Sequence, residues 1–164
     1  MTPLRTRLEF TGIILGICLF IFFMPFVMGR TQPNIEAAVQ QNMAFLDEMV
    51  NKYMEKHQGR PPQNLTELYN NARSEKYNKT VFNPLLKNGG DISNESIMVQ
   101  YPADVFPRIN KDYTNPEYTG KTGYYTDGNS YAIYGHIQGG ALLKQDGKAI
   151  VYGNFEVTPK QNTP

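Results

Sequence analysis

The chain is poor in the side chains that build covalent cross-links and metal centres. Its 164 residues include one cysteine, two histidines and no tryptophan. The single cysteine, Cys18, excludes a disulfide within the chain, and it lies in an apolar run, where it acts as a small apolar residue. No Asp, Glu or Cys stands at a metal-ligand spacing from His57 or His136. We therefore expect His57 at a solvated helix end and His136 on the surface of a strand.

An excess of charge of one sign is also missing. The chain has 16 Lys and Arg against 15 Asp and Glu. Arg5, Arg7 and Glu9 precede Phe10, so subtraction leaves 14 residues of each sign in the rest of the chain. A neutral domain without a Lys/Arg cluster has no electrostatic reason to bind nucleic acid, and no nucleic-acid partner is expected.

The motifs of common enzyme classes are absent as well. The sequence has no Gly-rich phosphate loop, no Gly-x-Ser-x-Gly elbow and no His-Glu-x-x-His motif. No nucleophile and base can be paired from the order of the residues. The sequence therefore indicates a protein that is not an enzyme and that has no cofactor.

Two Asp-Gly turns are the remaining candidates for a cation site. Asp127 and Asn129 lie in "YTDGNSY", and Asp146 lies in "KQDGK". Their oxygens suit Ca²⁺, but that ion takes roughly six to eight oxygen ligands. Asp and Gly are also the residues that tight turns require. We interpret these residues first as turn formers and keep calcium as the alternative.

What the chain does have is one long apolar run near its N-terminus. Residues 10–28 are nineteen consecutive uncharged residues. As a helix they would span about 28 Å, close to the thickness of a bilayer's hydrocarbon core. Arg5 and Arg7 before the run, against Arg30 after it, predict a single-pass protein of the inner or cytoplasmic membrane with its N-terminus inside and the rest outside. The alternative is a secretory signal cut near Val27-Met28-Gly29, although the apolar core of such signals is shorter, about 7–15 residues.

An amphipathic helix is predicted soon after this run. Apolar residues recur at steps of three and four, which is the spacing of one helix face. They are Ile35, Val39, Met43, Leu46, Val50 and Tyr53. Gln58-Gly59 ends the pattern and Pro61-Pro62 forbids its resumption, so the helix spans residues 35–56. We expect its apolar face to pack on a sheet formed later in the chain.

The remainder of the chain predicts a short helix and several strands. Asn64 caps the helix, with Glu67 in the first turn. Strands are expected at "SIMVQY", "TGYYT", "SYAIYGHIQ", "ALLK" and "KAIVYG", with turns at Asp127-Gly128 and Asp146-Gly147. Three prolines within residues 101–118 predict an irregular loop. The predicted fold class is α+β, with a small antiparallel meander against the amphipathic helix.

Four stretches match, in order, the landmarks of one protein family. They are "LEFTGIILGI", "FLDEMVNKYMEKHQGRPPQNLTELYNNA", "NPLLKNGGD" and "YYTDGNSYAIYG…LLKQDGKAIVYGN". The second stretch has a tyrosine, a glycine, a proline and two leucines in the family's order, at Tyr53, Gly59, Pro61/Pro62, Leu65 and Leu68. With its apolar start and its C-terminal hairpins, the chain resembles the type IV pilin and type II secretion pseudopilin superfamily.

The resemblance implies a long N-terminal helix, membrane-spanning and then amphipathic, packed on a small antiparallel β-meander. It implies a structural subunit or minor component of a pilus or secretion-type pseudopilus, whose partners are the membrane, copies of this chain or other pilin-like subunits, and their assembly machinery. The assembly helix would pack through Phe10, Ile13, Ile14, Ile17, Phe20 and Phe23. Two positions depart from the family pattern. Glu9 stands where prepilins have the glycine of the processing site, and Ile14 stands where they have a glutamate.

The expected organisation has five segments. They are a cytoplasmic leader (1–9), a transmembrane or assembly helix (10–29), an amphipathic helix (30–57), a globular α+β head (58–157) and a polar tail (158–164). Once assembled, the head would be extracellular or periplasmic. The alternative function is a monomeric, membrane-anchored or secreted pilin-like binding module that uses its tyrosine-rich sheet or the loop 102–118.

Overall fold

Two α-helices precede eight short strands in the residues that the computed structural model describes, 34–109 and 112–155. These residues belong to one unit, Pro33–Pro164, which we call the head. The helices are α1, Ile35–Lys56, and α2, Leu65–Ser74. The strands are β1, Val81–Asn83; β2, Asn88–Gly90; β3, Met98–Gln100; β4, Thr122–Thr126; β5, Tyr131–Gly135; β6, Lys144–Gln145; β7, Lys148–Ala149; and β8, Val151–Gly153.

Local signals in the sequence set both ends of α1. The side chain of Asn34 accepts hydrogen bonds from the backbone N–H groups of Glu36 (3.1 Å) and Ala37 (3.3 Å), while its own backbone is extended with ψ 102°. An extended residue cannot lie inside an α-helix, so α1 begins after this cap. At the other end, Gly59 has φ +79° and its N–H donates to the carbonyl of Met54 at 2.9 Å, which satisfies a free carbonyl of the last turn.

The apolar stripe of α1 lies at the centre of the larger hydrophobic core. Its buried side chains are Val39, Met43, Leu46, Val50 and Tyr53, joined by Met49. Ile35, in the first turn, is half-buried. Gly135 of β5 lies under the stripe, and a Cβ there would overlap Val39 and Met43. The missing side chain therefore lets the helix approach the sheet closely.

The main sheet has four strands in the order β3-β4-β5-β8. β5 pairs antiparallel with both of its neighbours, whereas β3 pairs parallel with β4. Side chains of β5 alternate between the two faces, as expected for a strand. Tyr131 and Ile133 join the core under α1, and Ala132 and Tyr134 join a second cluster on the opposite face.

The connection between β3 and β4 covers that opposite face. Phe106, in a short 3-10 turn, is buried and stacks on Tyr125 with ring centres 3.7 Å apart. Ile109 is also buried in this cluster. The ring of Tyr101 lies over Gly123, where a Cβ would overlap it. Both faces of the sheet are therefore covered, one by α1 and the other by this connection.

The predicted sheet arrangement is wrong. An antiparallel meander requires each strand to reverse into the next, but residues 101–121 carry the chain across the sheet face before β4 begins. Such a crossover returns the chain in the same direction, so β3 and β4 are parallel and the sheet is mixed. The segment "ALLK" also adds no strand to the main sheet. Its last residue belongs to β6, which forms a separate hairpin with β7, as β1 does with β2.

The predicted long N-terminal helix is not seen either. The cap at Asn34 gives α1 its own start, and the segment 10–29 lies outside the described residues. Of the helices in the described ranges, none combines the length and the apolar character needed to cross a membrane. The described architecture is two helices with a mixed four-stranded sheet and two small hairpins.

The head has two distinct ends. β1 runs antiparallel to α1, because Lys79 pairs with Glu48 at 3.1 Å whereas Phe82, three residues later, is hydrogen-bonded to Asn42. β5 runs the same way, from Tyr131 near the C-terminal half of α1 to Gly135 near its first turns. We call the end at which α1 begins proximal and the end at which α1 stops distal. The tip of the β1–β2 hairpin is proximal, and the β4–β5 turn is distal.

Candidate functional site

A polar cleft of about 590 Å³ lies at the distal end, between the end of α1 and the β4–β5 turn. Its helix side is lined by Tyr53, Lys56, His57 and Arg60, and Glu67 of α2 adds a carboxylate. Its turn side is formed by Asp127, Gly128 and Asn129. The cleft therefore joins the two predicted turn residues of the first Asp-Gly loop to cationic side chains far away in the sequence. We call it the distal cleft.

Glu67 holds the helix side of the distal cleft together. Its N–H donates to the side-chain oxygen of Asn64 at 2.8 Å, which caps α2 as predicted. Its carboxylate accepts hydrogen bonds from the backbone N–H of Gln63 at 2.7 Å and from the hydroxyl of Tyr53 at 2.5 Å. One side chain thus closes the N-terminus of α2 and ties that helix to α1.

Tyr53 and His57 form the aromatic part of the cleft wall. Their rings are stacked, with centres 3.7 Å apart and planes within 3°. Nδ1 of His57 donates to the carbonyl of Tyr53 at 2.7 Å. Burial, together with the hydrogen bond to Glu67, raises the pKa of Tyr53 to about 12, so its hydroxyl stays a neutral donor. His57 lies at the helix end as predicted, but it is half-buried and stacked.

The carboxylate of Asp127 is hydrogen-bonded within its own turn. Its Oδ1 accepts hydrogen bonds from the N–H groups of Asn129 (2.9 Å) and Ser130 (2.7 Å), and these bonds hold the pKa of its carboxyl below the usual range. Asp146 lies in the β6–β7 turn and does not line the cleft. Among the described residues, no group of three or more His, Cys, Asp or Glu is placed to hold a metal ion.

The cations of the cleft differ in their bonding. Lys56 pairs with Glu75 at 2.5 Å, whereas the guanidinium of Arg60 has no hydrogen-bond or ion-pair partner among the described residues. The cleft thus offers a free guanidinium on one wall and amide and carboxylate oxygens on the other. This arrangement suits noncovalent binding of a polar ligand. Nothing in the local sequence relates Lys56 and Arg60 to the β4–β5 turn, and the cleft was not predicted.

A second cleft, of about 450 Å³, runs beside β3, the outer strand of the main sheet. Apolar side chains form its floor, including Leu65, Ile92 and Met98. The side-chain oxygen of Gln100 accepts a hydrogen bond from the N–H of Leu65 at 3.2 Å and bridges the cleft. This bridge joins the sheet edge to α2, and the cleft is a packing gap between them.

His136 is not on the surface as predicted. It is fully buried, its Nδ1 donates to the carbonyl of Gly140 at 2.9 Å, and its Nε2 accepts from the hydroxyl of Tyr101 at 2.5 Å. The rings of Tyr113 and Tyr118 lie 6.2 and 5.1 Å from the imidazole. Burial lowers the pKa of His136 to about 4, so the imidazole is neutral. It is a packed and hydrogen-bonded histidine with no access to a ligand.

The tyrosine-rich sheet is likewise part of the interior. Tyr101, Tyr124, Tyr131 and Tyr134 are buried. The loop 102–118, which the sequence also marks as a binding surface, covers Tyr101 and Tyr134 through Phe106, whereas Tyr124 and Tyr131 lie in the core under α1. These tyrosines therefore act in packing and internal hydrogen bonds.

The residues of the predicted assembly helix lie outside the described residues. They are Phe10, Ile13, Ile14, Ile17, Phe20 and Phe23. Comparison of the chain with protein-family models, with curated proteins and with solved structures finds no match.

Proposed function

We propose that this chain is a structural subunit or minor component of a pilus or secretion-type pseudopilus. It assembles through the apolar residues of segment 10–29, which lie in the membrane before assembly and pack on equivalent residues of other subunits afterwards. The head stands outside the cytoplasm. Its role is mechanical and carries no catalytic step.

The observation that supports this proposal is the position of α1 in the head. α1 is the first described element after the apolar segment, and its side chains from Val39 to Tyr53 form the centre of the larger core. Because a close-packed core moves as one body, a displacement imposed at the start of α1 is passed to the whole head. A subunit positioned by its N-terminal segment requires this coupling.

A second candidate is a monomeric, membrane-anchored or secreted binding module. Two observations favour it. The cap at Asn34 lets α1 start without any helix before it, and the distal cleft opens where α1 ends and not where it begins. In this candidate the head is a separate body on a tether, and the free guanidinium of Arg60 faces a polar or acidic ligand.

The mass of the intact native protein separates the two candidates. A chain that begins at Phe10, as processing in the family would produce, supports the filament subunit. A full-length chain supports the permanently anchored module instead. A chain that begins at Arg30 contradicts both the filament and the anchor, because cleavage there removes the apolar segment.

A further inference from the structure

We propose that the proximal tip of the β1–β2 hairpin is a contact surface for an anionic lipid bilayer. The surface consists of Phe82, Leu86 and Lys87, and we call it the hairpin patch. The inference rests on one part of the proposed function, the placement of segment 10–29 in a membrane.

The hairpin tip lies at the proximal end of the head. β1 runs toward the start of α1, and its residue Phe82 lies beside Asn42. Asn42 is eight residues from Asn34, which corresponds to about 12 Å along the helix axis. The tip at residues 84–87 extends beyond Phe82 in the same direction. It therefore lies at the end of the head where the chain enters from its apolar segment.

The hairpin exposes two large apolar side chains. Phe82 is 39% exposed and Leu86 is 59% exposed. With Val151 of β8, they are the large apolar side chains that the described residues leave exposed. A single exposed apolar residue is ordinary on a protein surface, but here two of the three lie on one hairpin at the proximal end.

The hairpin also carries positive charge. Residues 79–90 contain two lysines and no acid. Lys79 pairs with Glu48, whereas the ammonium group of Lys87 at the tip has no partner among the described residues. Apolar side chains flanked by lysine suit the boundary between acyl chains and anionic headgroups. Asp91 directly follows β2, at the opposite end of that strand from the hairpin tip, and Glu36 lies in the first turn of α1.

The hairpin is also held rigidly, so the patch is presented in a single orientation. Asn83 is fully buried, and its side-chain oxygen accepts from the N–H groups of Leu85 (3.0 Å) and Leu86 (3.3 Å). Its side-chain nitrogen donates to the carbonyl of Ser96 at 2.8 Å and lies 3.4 Å from the carbonyl of Thr119. A tip fixed in this way loses little conformational freedom on contact with a surface.

The test uses the full chain in vesicles of phosphatidylcholine and phosphatidylglycerol. A fluorophore is attached to Gly89→Cys in a Cys18→Ser background, and some lipids carry a nitroxide on the headgroup. Gly89 is exposed beside Phe82, and a Cβ there makes only ordinary contacts, the nearest at 3.5 Å. We expect strong quenching at this position and little quenching of the same label at Asn129→Cys in the distal cleft. In vesicles without anionic lipid we expect weaker quenching at position 89. The loss of attraction for one lysine should lower the affinity of the patch for the bilayer by about fivefold.

Leu86→Asp tests the patch itself, and Thr66→Asp adds the same charge on α2 as its control. Leu86→Asp should bring quenching at position 89 down to the level at position 129, whereas Thr66→Asp should leave it unchanged. Equal quenching at both labels in a chain that floats with the vesicles overturns the inference and leaves the proposed function intact. A chain that does not float overturns both. Cross-linking between copies through position 89, without lipid quenching, assigns the patch to a second copy and overturns the lipid contact.

Discussion

At the scale of single residues, the buried polar groups of the head differ in how completely they are satisfied. Asn83 uses both its amide oxygen and its amide nitrogen, and His136 uses both ring nitrogens. The hydroxyl of Thr122 is buried and has no hydrogen-bond partner among the described residues. Since an unsatisfied buried polar group costs free energy and a satisfied one does not, these sites should respond to substitution in opposite directions.

His136 should make the stability of the head depend on pH. The folded protein binds a proton at this imidazole only near pH 4, whereas the unfolded chain binds it near the ordinary pKa of 6.5. The free energy of unfolding should therefore be fully developed above pH 6.5 and fall as the pH is lowered toward 4, by on the order of 3 kcal/mol. Burial raises the pKa of Tyr101 and of Tyr118, two phenols that face the ring, so both stay neutral in this range.

Urea unfolding between pH 4.5 and 7.5 measures this dependence, with His136→Gln as the comparison. The variant should have a shallower slope of unfolding free energy against pH, whatever its absolute stability. The other ionisable side chains are the same in both proteins, so the difference between the slopes reports His136. Parallel slopes would contradict the burial of a neutral imidazole.

Thr122→Val should leave the head as stable or make it more stable, by up to about 1 kcal/mol, because it replaces an unsatisfied hydroxyl with a methyl group of similar size. Thr126→Val is the matched control. The hydroxyl of Thr126 donates to the carbonyl of Ser130 at 2.9 Å and accepts from the N–H of Gly128, so its loss should destabilise the β4–β5 turn. Thermal unfolding of the two variants checks the difference in sign.

At the scale of elements, a side chain joins the β1–β2 hairpin to α1. Asn42 is buried, and its amide donates to the carbonyl of Phe82 at 2.7 Å and accepts from the N–H of the same residue at 3.2 Å. The amide thus pairs with the outer edge of β1 as a neighbouring strand would. This pairing connects a hairpin that belongs to no larger sheet.

Asn42→Ala should destabilise the head by about 2–3 kcal/mol, because it leaves a backbone N–H and a backbone carbonyl of Phe82 without partners. Gln41→Ala, at the exposed neighbouring position, should change the stability little. Urea unfolding followed by circular dichroism measures both variants. If Asn42→Ala unfolds at the same urea concentration as the parent, the hairpin is held by apolar contacts alone.

Elements with local signals were predictable from the sequence. The predicted helix at residues 35–56 has the same bounds as α1, and the cap at Asn64 is confirmed. The turn at Asp146-Gly147 is also confirmed, with φ values of +52° and +76° that such a tight hairpin turn requires. The parallel pairing of β3 was not predictable in the same way, since it depends on how residues 101–121 cross the sheet.

At the scale of the whole molecule, the head separates two kinds of surface along α1. The proximal end carries the hairpin patch with its exposed leucine, and the distal end carries the polar cleft with the free guanidinium of Arg60. The quenching measurements with labels at positions 89 and 129 compare the two ends directly.

The sequence by itself determined the elements whose causes are local. Helix periodicity, caps and turn residues act within a few positions, so α1, α2 and the turns at Asp127-Gly128 and Asp146-Gly147 followed from them. Only the tertiary structure decided that the second face is covered, that His136 is therefore buried, and that Arg60 meets the β4–β5 turn in one cleft. These outcomes depend on contacts between residues far apart in the chain, and no pattern within a short window of sequence specifies which distant segments will pack together.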